Sequence, residues 1–136
     1  MKSILITDND RRRLGTMLDD SQLARIERRE HLHSLETTLD RASPVLPTEV
    51  PEDVVTMNST VEILDLDDRE PEVYTLVYPE RADALSNRIS VLSPMGRAIL
   101  GHRIGDVVVV HTPSGRRRIR IETILFQPER AGDYHL

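Results

Sequence analysis

The sequence predicts an α+β protein, with a short N-terminal antiparallel helical hairpin followed by an antiparallel β-sheet domain that carries one short helix. Three observations lead there. Residues 8–42 are densely charged and place Leu14, Met17 and Leu18, then Leu32, Leu35, Leu39 and Ala42, at helical spacing. Pro44, Pro47 and Pro51 then break every periodicity between residues 43 and 53. Beyond them the composition changes from Arg/Glu-rich to Val/Thr-rich, and apolar residues alternate with polar ones as strands require.

The domain organisation follows as a hairpin or short coiled coil over residues 1–42, a Pro-rich linker over 43–53 and a sheet domain over 54–136. Thr7 or Asp8 supplies the first N-cap, a short side-chain oxygen that takes an otherwise unpaired amide. The chain reverses within residues 19–30, where Leu23 and Ile26 fall out of register with the later heptad. The second helix ends at Ser43, because the residue before a proline is pushed out of the helical region. If the reversal uses several residues, each arm has roughly 12 to 16 and spans on the order of 18 to 24 Å. Such a pair is too thin to hold a core of its own and must lean on the rest of the chain.

In the sheet domain, residues 54–66 predict a long strand with Val61 and Ile63 facing one way, ended by Asp67 and Asp68. Residues 72–78 form the next strand and stop at Pro79, and residues 88–92 form a third. Ser93 and Pro94 open a brief helix as N-cap and first helical residue, where proline's missing amide proton costs nothing, and Gly101 suits its C-terminal side. Val107 to Val110 form a continuous apolar run, which predicts a central strand covered on both faces. Pro113-Ser114-Gly115 turns the chain into a last strand over residues 116–126, with Ile119 and Ile121 alternating against Arg118 and Arg120. The sum is a largely antiparallel sheet of about five strands.

Composition narrows function. The chain has 136 residues, enough for one good core with an appendage, and a net charge of −5. An acidic protein is poorly suited to neutralising phosphates along naked nucleic acid, so DNA or RNA contact is expected to be indirect at most and a protein partner is favoured. One Phe, three Tyr and no Trp leave little for base stacking or an aromatic-lined pocket. The absence of Cys excludes disulfides and thiolate metal sites, and fits a reducing cytoplasm. No run of 18 apolar residues occurs, and the apolar stretch near the N-terminus is too short for a signal peptide, so no membrane association is expected. His31 and His33, two residues apart, point to different helical faces, and His102 and His111 have no Cys or paired carboxylate near them in sequence. No nucleophile triad or phosphate loop stands out, so neither an enzyme, a metal nor a cofactor is expected. Arg116, Arg118 and Arg120 fall on one face of the last strand. Two readings stand for them: a solvated face balanced by Glu122, or a basic patch for an acidic protein surface or RNA.

One block is more specific. Arg88-Ile-Ser-Val-Leu-Ser-Pro-Met-Gly-Arg-Ala-Ile-Leu-Gly-His-Arg-Ile-Gly-Asp106 resembles the C-terminal domain of the Gre transcript-cleavage factors. Asp53-Val-Val-Thr-Met-Asn-Ser59, Thr75-Leu-Val-Tyr-Pro79 and the stretch from Gln127 to Leu136 resemble the Rnk-type members of the same GreA/GreB family, named for regulation of nucleoside diphosphate kinase. Together these are distributed over residues 53–136, about two thirds of the chain, while the helical part matches in pattern more than identity. The resemblance implies an FKBP-like fold for the sheet domain and docking on RNA polymerase near its secondary channel, with the contact at Ser93 and Pro94. Capping alone also accounts for those two residues. The acidic residue that often precedes that Ser in the family is Leu92 here. Gre factors hold catalytic metal with acids at the tip of a longer hairpin, and the acids nearest the expected tip here are Asp19, Asp20, Glu27 and Glu30. With arms this short they read as solvated charge, and no stimulation of transcript cleavage is expected. Prolyl isomerase chemistry, which an FKBP-like fold brings to mind, needs an aromatic-lined pocket that one Phe cannot build. Regulation of nucleoside diphosphate kinase by direct binding is the alternative function.

Overall fold

A computed structural model describes residues 4–134, so the ends of the expected hairpin and sheet domain, residues 1–3 and 135–136, lie outside the described residues. The chain opens with β1 (Leu5–Thr7), whose last residue caps α1 (Asp8–Leu18) through a 3.1 Å bond from the Asp10 amide to Thr7 Oγ1. A short α2 (Ser21–Ile26) follows, then α3 (Arg29–Arg41). The chain next enters β2 (Ser43–Val45), which lies parallel to β1. Thus α1 carries the chain away from β1 and α3 returns it to β1's side. The Arg11 guanidinium fastens α1 to α3 by donating to the Leu39 carbonyl at 2.7 Å.

The main sheet contains β3 (Thr60–Asp65), β4 (Pro71–Val77), β5 (Arg88–Ser90), β6 (Val107–Thr112) and β7 (Gly115–Phe126), in the order β5-β4-β3-β7-β6. Its core face is covered by α4 (Pro94–Ile99) and the N-terminal helices. Leu14, Leu35, Leu39 and Ala42 belong to the same buried cluster as Val61, Ile63, Leu76, Ile99, Ile119 and Ile121. The helical stripe read from the sequence is therefore one wall of a single core. Each fully buried Leu in it contributes about 1.5–3 kcal/mol. Gly101 sits where this wall meets the sheet. Its φ is +79°, and a Cβ there would lie 2.9 Å from the Leu5 carbonyl, so the approach of β1 requires glycine.

The α+β class stands, and several details differ from expectation. The reversal over residues 19–30 contains a helix of its own, α2, because Asp20 caps it by accepting from the Gln22 amide at 2.9 Å. The stretch read as a linker carries β2, and Val50 within it is buried. The long strand expected from residue 54 begins only at Thr60; Asn58 just before it has a φ of 67°, which breaks strand geometry. The sheet is mixed, since β5 pairs with β4 in parallel. The largest correction concerns Val107 to Val110. They form an edge strand in which Val108 and Val110 are buried while Val107 and Val109 are 53% and 45% exposed.

Candidate functional site

The corner between β5 and α4 is built from Ser90 outward. The Ser90 carbonyl accepts from both the Ser93 amide at 3.0 Å and the Ser93 hydroxyl at 2.7 Å. Ser93 Oγ in turn accepts from the Gly96 amide at 3.1 Å, and Ser90 Oγ accepts from the Leu92 amide at 3.0 Å. The helix thus lies directly on the strand end. A Cβ at Gly96 would meet the Ser90 carbonyl oxygen at 2.1 Å, so no other residue fits. Ser93 and Pro94 are partly exposed at the top of this corner, with the hydroxyl of Ser93 occupied as donor and acceptor. Leu92 is 2% exposed and packs in the core, so the position that precedes the Ser faces inward.

The four acids of the reversal are spread along it. Asp19 and Glu27 are the C-cap positions of α1 and α2, and Asp20 is the N-cap of α2. Glu27 meets His31 Nδ1 at 2.7 Å, and Glu30 lies in the first turn of α3, where a negative charge suits the helix dipole. Among the described residues no group of three or more His, Cys, Asp or Glu is placed to hold a metal. His33 lies 4.0 Å from Glu36, and His102 lies 3.4 Å from Asp106.

Arg116, Arg118 and Arg120 share the outer face of β7, opposite His111, Val109 and Val107 of β6. Arg118 pairs with Asp67 at 3.0 Å and Arg120 with Glu122, whereas no ion pair involves Arg116 among the described residues. Arg117 points to the other face, where it bonds Asp65 at 2.8 Å and Glu72 at 3.1 Å. The hydrogen bond from Arg117 holds the Asp65 carboxyl below the usual range.

Sequence reasoning missed Asp10. It lies one turn before Leu14 on the buried stripe of α1 and is 4% exposed. Its Oδ2 accepts from the Met57 amide at 3.0 Å, joining α1 to the loop before β3. Burial raises its pKa to about 7, with the Glu129 carboxylate adding to the rise and the Met57 amide, Arg13 and Thr7 opposing it. Glu129 accepts from Thr56 Oγ1 at 2.7 Å, and the Arg13 guanidinium sits 4.4 Å from the centre of the Tyr78 ring. The spacing of Asp10 to Leu14 was the available signal, since it places a carboxyl on an apolar stripe.

Residues 50–126, which contain the Ser93 corner and the Arg row, match the family model described as transcription elongation factor GreA/GreB, C-terminal. The chain belongs to the GreA/GreB family. It is 38% identical over 135 residues to the regulator of nucleoside diphosphate kinase of Escherichia coli K12, covering 98% of this chain and 97% of that one. The transcription inhibitor protein Gfh1 of Thermus aquaticus is 36% identical over 126 residues, covering 91% and 78%. Among solved structures, a transcription elongation factor GreA/GreB from Nitrosomonas europaea superposes with a TM-score of 0.74 at 35% identity, covering 93% of this chain and all of that one. The family model begins near Val50, so α1 to α3 lie outside it and within the full-length likeness to the E. coli relative. These relatives are regulators or transcription factors by name. No described helix is long and apolar enough to cross a membrane.

Proposed function

We propose that the protein regulates transcription elongation by binding RNA polymerase near its secondary channel, through the corner that presents Ser93 and Pro94, without stimulating transcript cleavage. In this reading the sheet with α4 is the family's FKBP-like docking domain, and α1 with α3 is a short antiparallel hairpin that obstructs the channel entrance. The length of the helices carries the proposal. With 11 and 13 residues, α1 and α3 extend about 16 and 20 Å, and both are anchored in the shared core by Leu14, Leu35 and Leu39. The acids Asp19, Asp20 and Glu27 sit at helix caps, spaced along the reversal. Stabilising attacking and leaving oxygens through a second cation needs carboxylates gathered at the reacting centre. The exposed Arg116, with Arg118 beside it, adds a basic flank for an acidic protein surface.

Fluorescence anisotropy with labelled protein and purified core polymerase tests this. Saturable binding that a Gre factor displaces is expected, and binding indifferent to excess Gre factor would refute a common docking surface. The printed name of the E. coli relative favours a second reading, direct binding to nucleoside diphosphate kinase. Titrating the protein into that enzyme while following phosphate transfer separates the two.

A further inference from the structure

The free edge of the sheet is a candidate for a second contact, distinct from the Ser93 corner. β6 is the outermost strand on its side. The Ile121 amide donates to the Asp106 carbonyl at 3.0 Å, and the β6–β7 register continues through Val107↔Arg120 to Thr112↔Gly115. Because bonded pairs alternate in an antiparallel ladder, Val108 and Val110 bond to β7, while the amides and carbonyls of Val107, Val109 and His111 point away from it. Most edges are blunted by charge, proline or a bulge. Val107 to Val110 carry none of these.

Beside this edge runs a groove of about 620 Å³, lined by Val107 and Val109 on β6, Arg97 and Ala98 on α4, and Thr38 and Arg41 on α3. Among the described residues neither Arg41 nor Arg97 takes part in an ion pair within 4.0 Å. Partial burial pulls Arg97 below its ordinary range, with the Glu27 charge opposing that. The groove thus combines unpaired strand amides, exposed valines and two guanidinium groups that close no ion pair within 4.0 Å among the described residues, with the Glu27 charge acting on Arg97 from farther off. A strand added along β6 would direct alternate side chains toward the α3–α4 layer and toward the outer face.

We propose that the β6 edge takes up an extended acidic–apolar segment of a partner protein as an added strand, its carboxylates meeting Arg41 and Arg97 and its apolar side chains lying against Val107 and Val109. Main-chain bonds supply affinity in this mode and the alternating side chains supply selectivity. A second copy of the chain does not fit the edge. Its own β6, Val107–Thr112, has no carboxylate to offer, and pairing two such edges would bring their arginines together.

The test uses the full chain and a fluorescein-labelled ten-residue peptide alternating Glu and Val, with a Lys–Val peptide as comparator. The Glu–Val peptide is expected to bind and to weaken with salt, the Lys–Val peptide to bind at least tenfold more weakly, and Arg41→Glu with Arg97→Glu to lower affinity at least tenfold. Val109→Pro removes an outward amide but no bond to β7, and should abolish binding with the melting temperature nearly unchanged. Should that variant fold poorly, methylating alternate amides of the peptide decides the matter without altering the protein: methylation on one edge should abolish binding and on the other leave it. Equal binding of both peptides, or binding that survives methylation on each of the two edges, overturns the proposal. So does sedimentation showing a dimer that Val109→Pro dissolves, because a second copy would then occupy the edge.

Discussion

Asp10 is the residue whose chemistry most directly shapes the fold. Its folded pKa of about 7 lies above the ordinary 3.8, so the native state holds a proton that the unfolded chain releases. Stability is then greatest below about pH 4 as far as this group is concerned, falls as pH rises toward 7, and levels off above it. The linkage amounts to at most about 4 kcal/mol. Asp10→Asn keeps an oxygen for the Met57 amide and removes the charge. It should melt at a higher temperature than the natural protein at pH 8 and show a flatter profile between pH 4 and 7, measured by calorimetry across pH. Asp65 runs the other way, since Arg117 lowers its pKa and the stabilisation it brings is lost as pH falls through the acid range. At the β5–α4 corner, Gly96→Ala should destabilise by about 3 kcal/mol in denaturant unfolding, because the new methyl meets the Ser90 carbonyl. Ser93→Ala should lose about 1 kcal/mol from the cap alone. A larger effect on polymerase affinity than on stability would mark Ser93 as a contact as well as a cap.

At the scale of elements, legibility in the sequence followed periodicity. The stripes of α1 and α3 and the Ser93-Pro94 start of α4 were readable because period and cap chemistry are local. β6 was misread because four consecutive valines hide the alternation, and only the absence of a neighbouring strand reveals that Val107 and Val109 face outward. The β1–β2 pairing was invisible for another reason. It joins three-residue strands across the whole helical segment, and no local pattern encodes so distant a partner. Asp10 went unseen because only apolar residues were counted into the stripe of α1, although its position relative to Leu14 puts it on the buried face. Because Leu35 of α3 shares the cluster with Ile63 and Ile121, Leu35→Ala should cost about 2–5 kcal/mol. Helix and sheet signals should then be lost in one transition, followed by circular dichroism during chemical unfolding.

For the whole molecule, the short helices and the sheet form one body around a common core, with the acids of the reversal distributed among helix caps. Occupancy of the polymerase entrance suits such a shape better than delivery of a metal-binding tip. The most direct measurement is gel analysis of RNA in stalled elongation complexes given this protein alone, or given a Gre factor with rising amounts of it. The expected result is full-length transcript with the protein alone and progressively less Gre-stimulated shortening as it is added. Shortened transcripts with the protein alone, or Gre-stimulated cleavage that stays undiminished at saturating protein, would contradict docking by occupancy without cleavage.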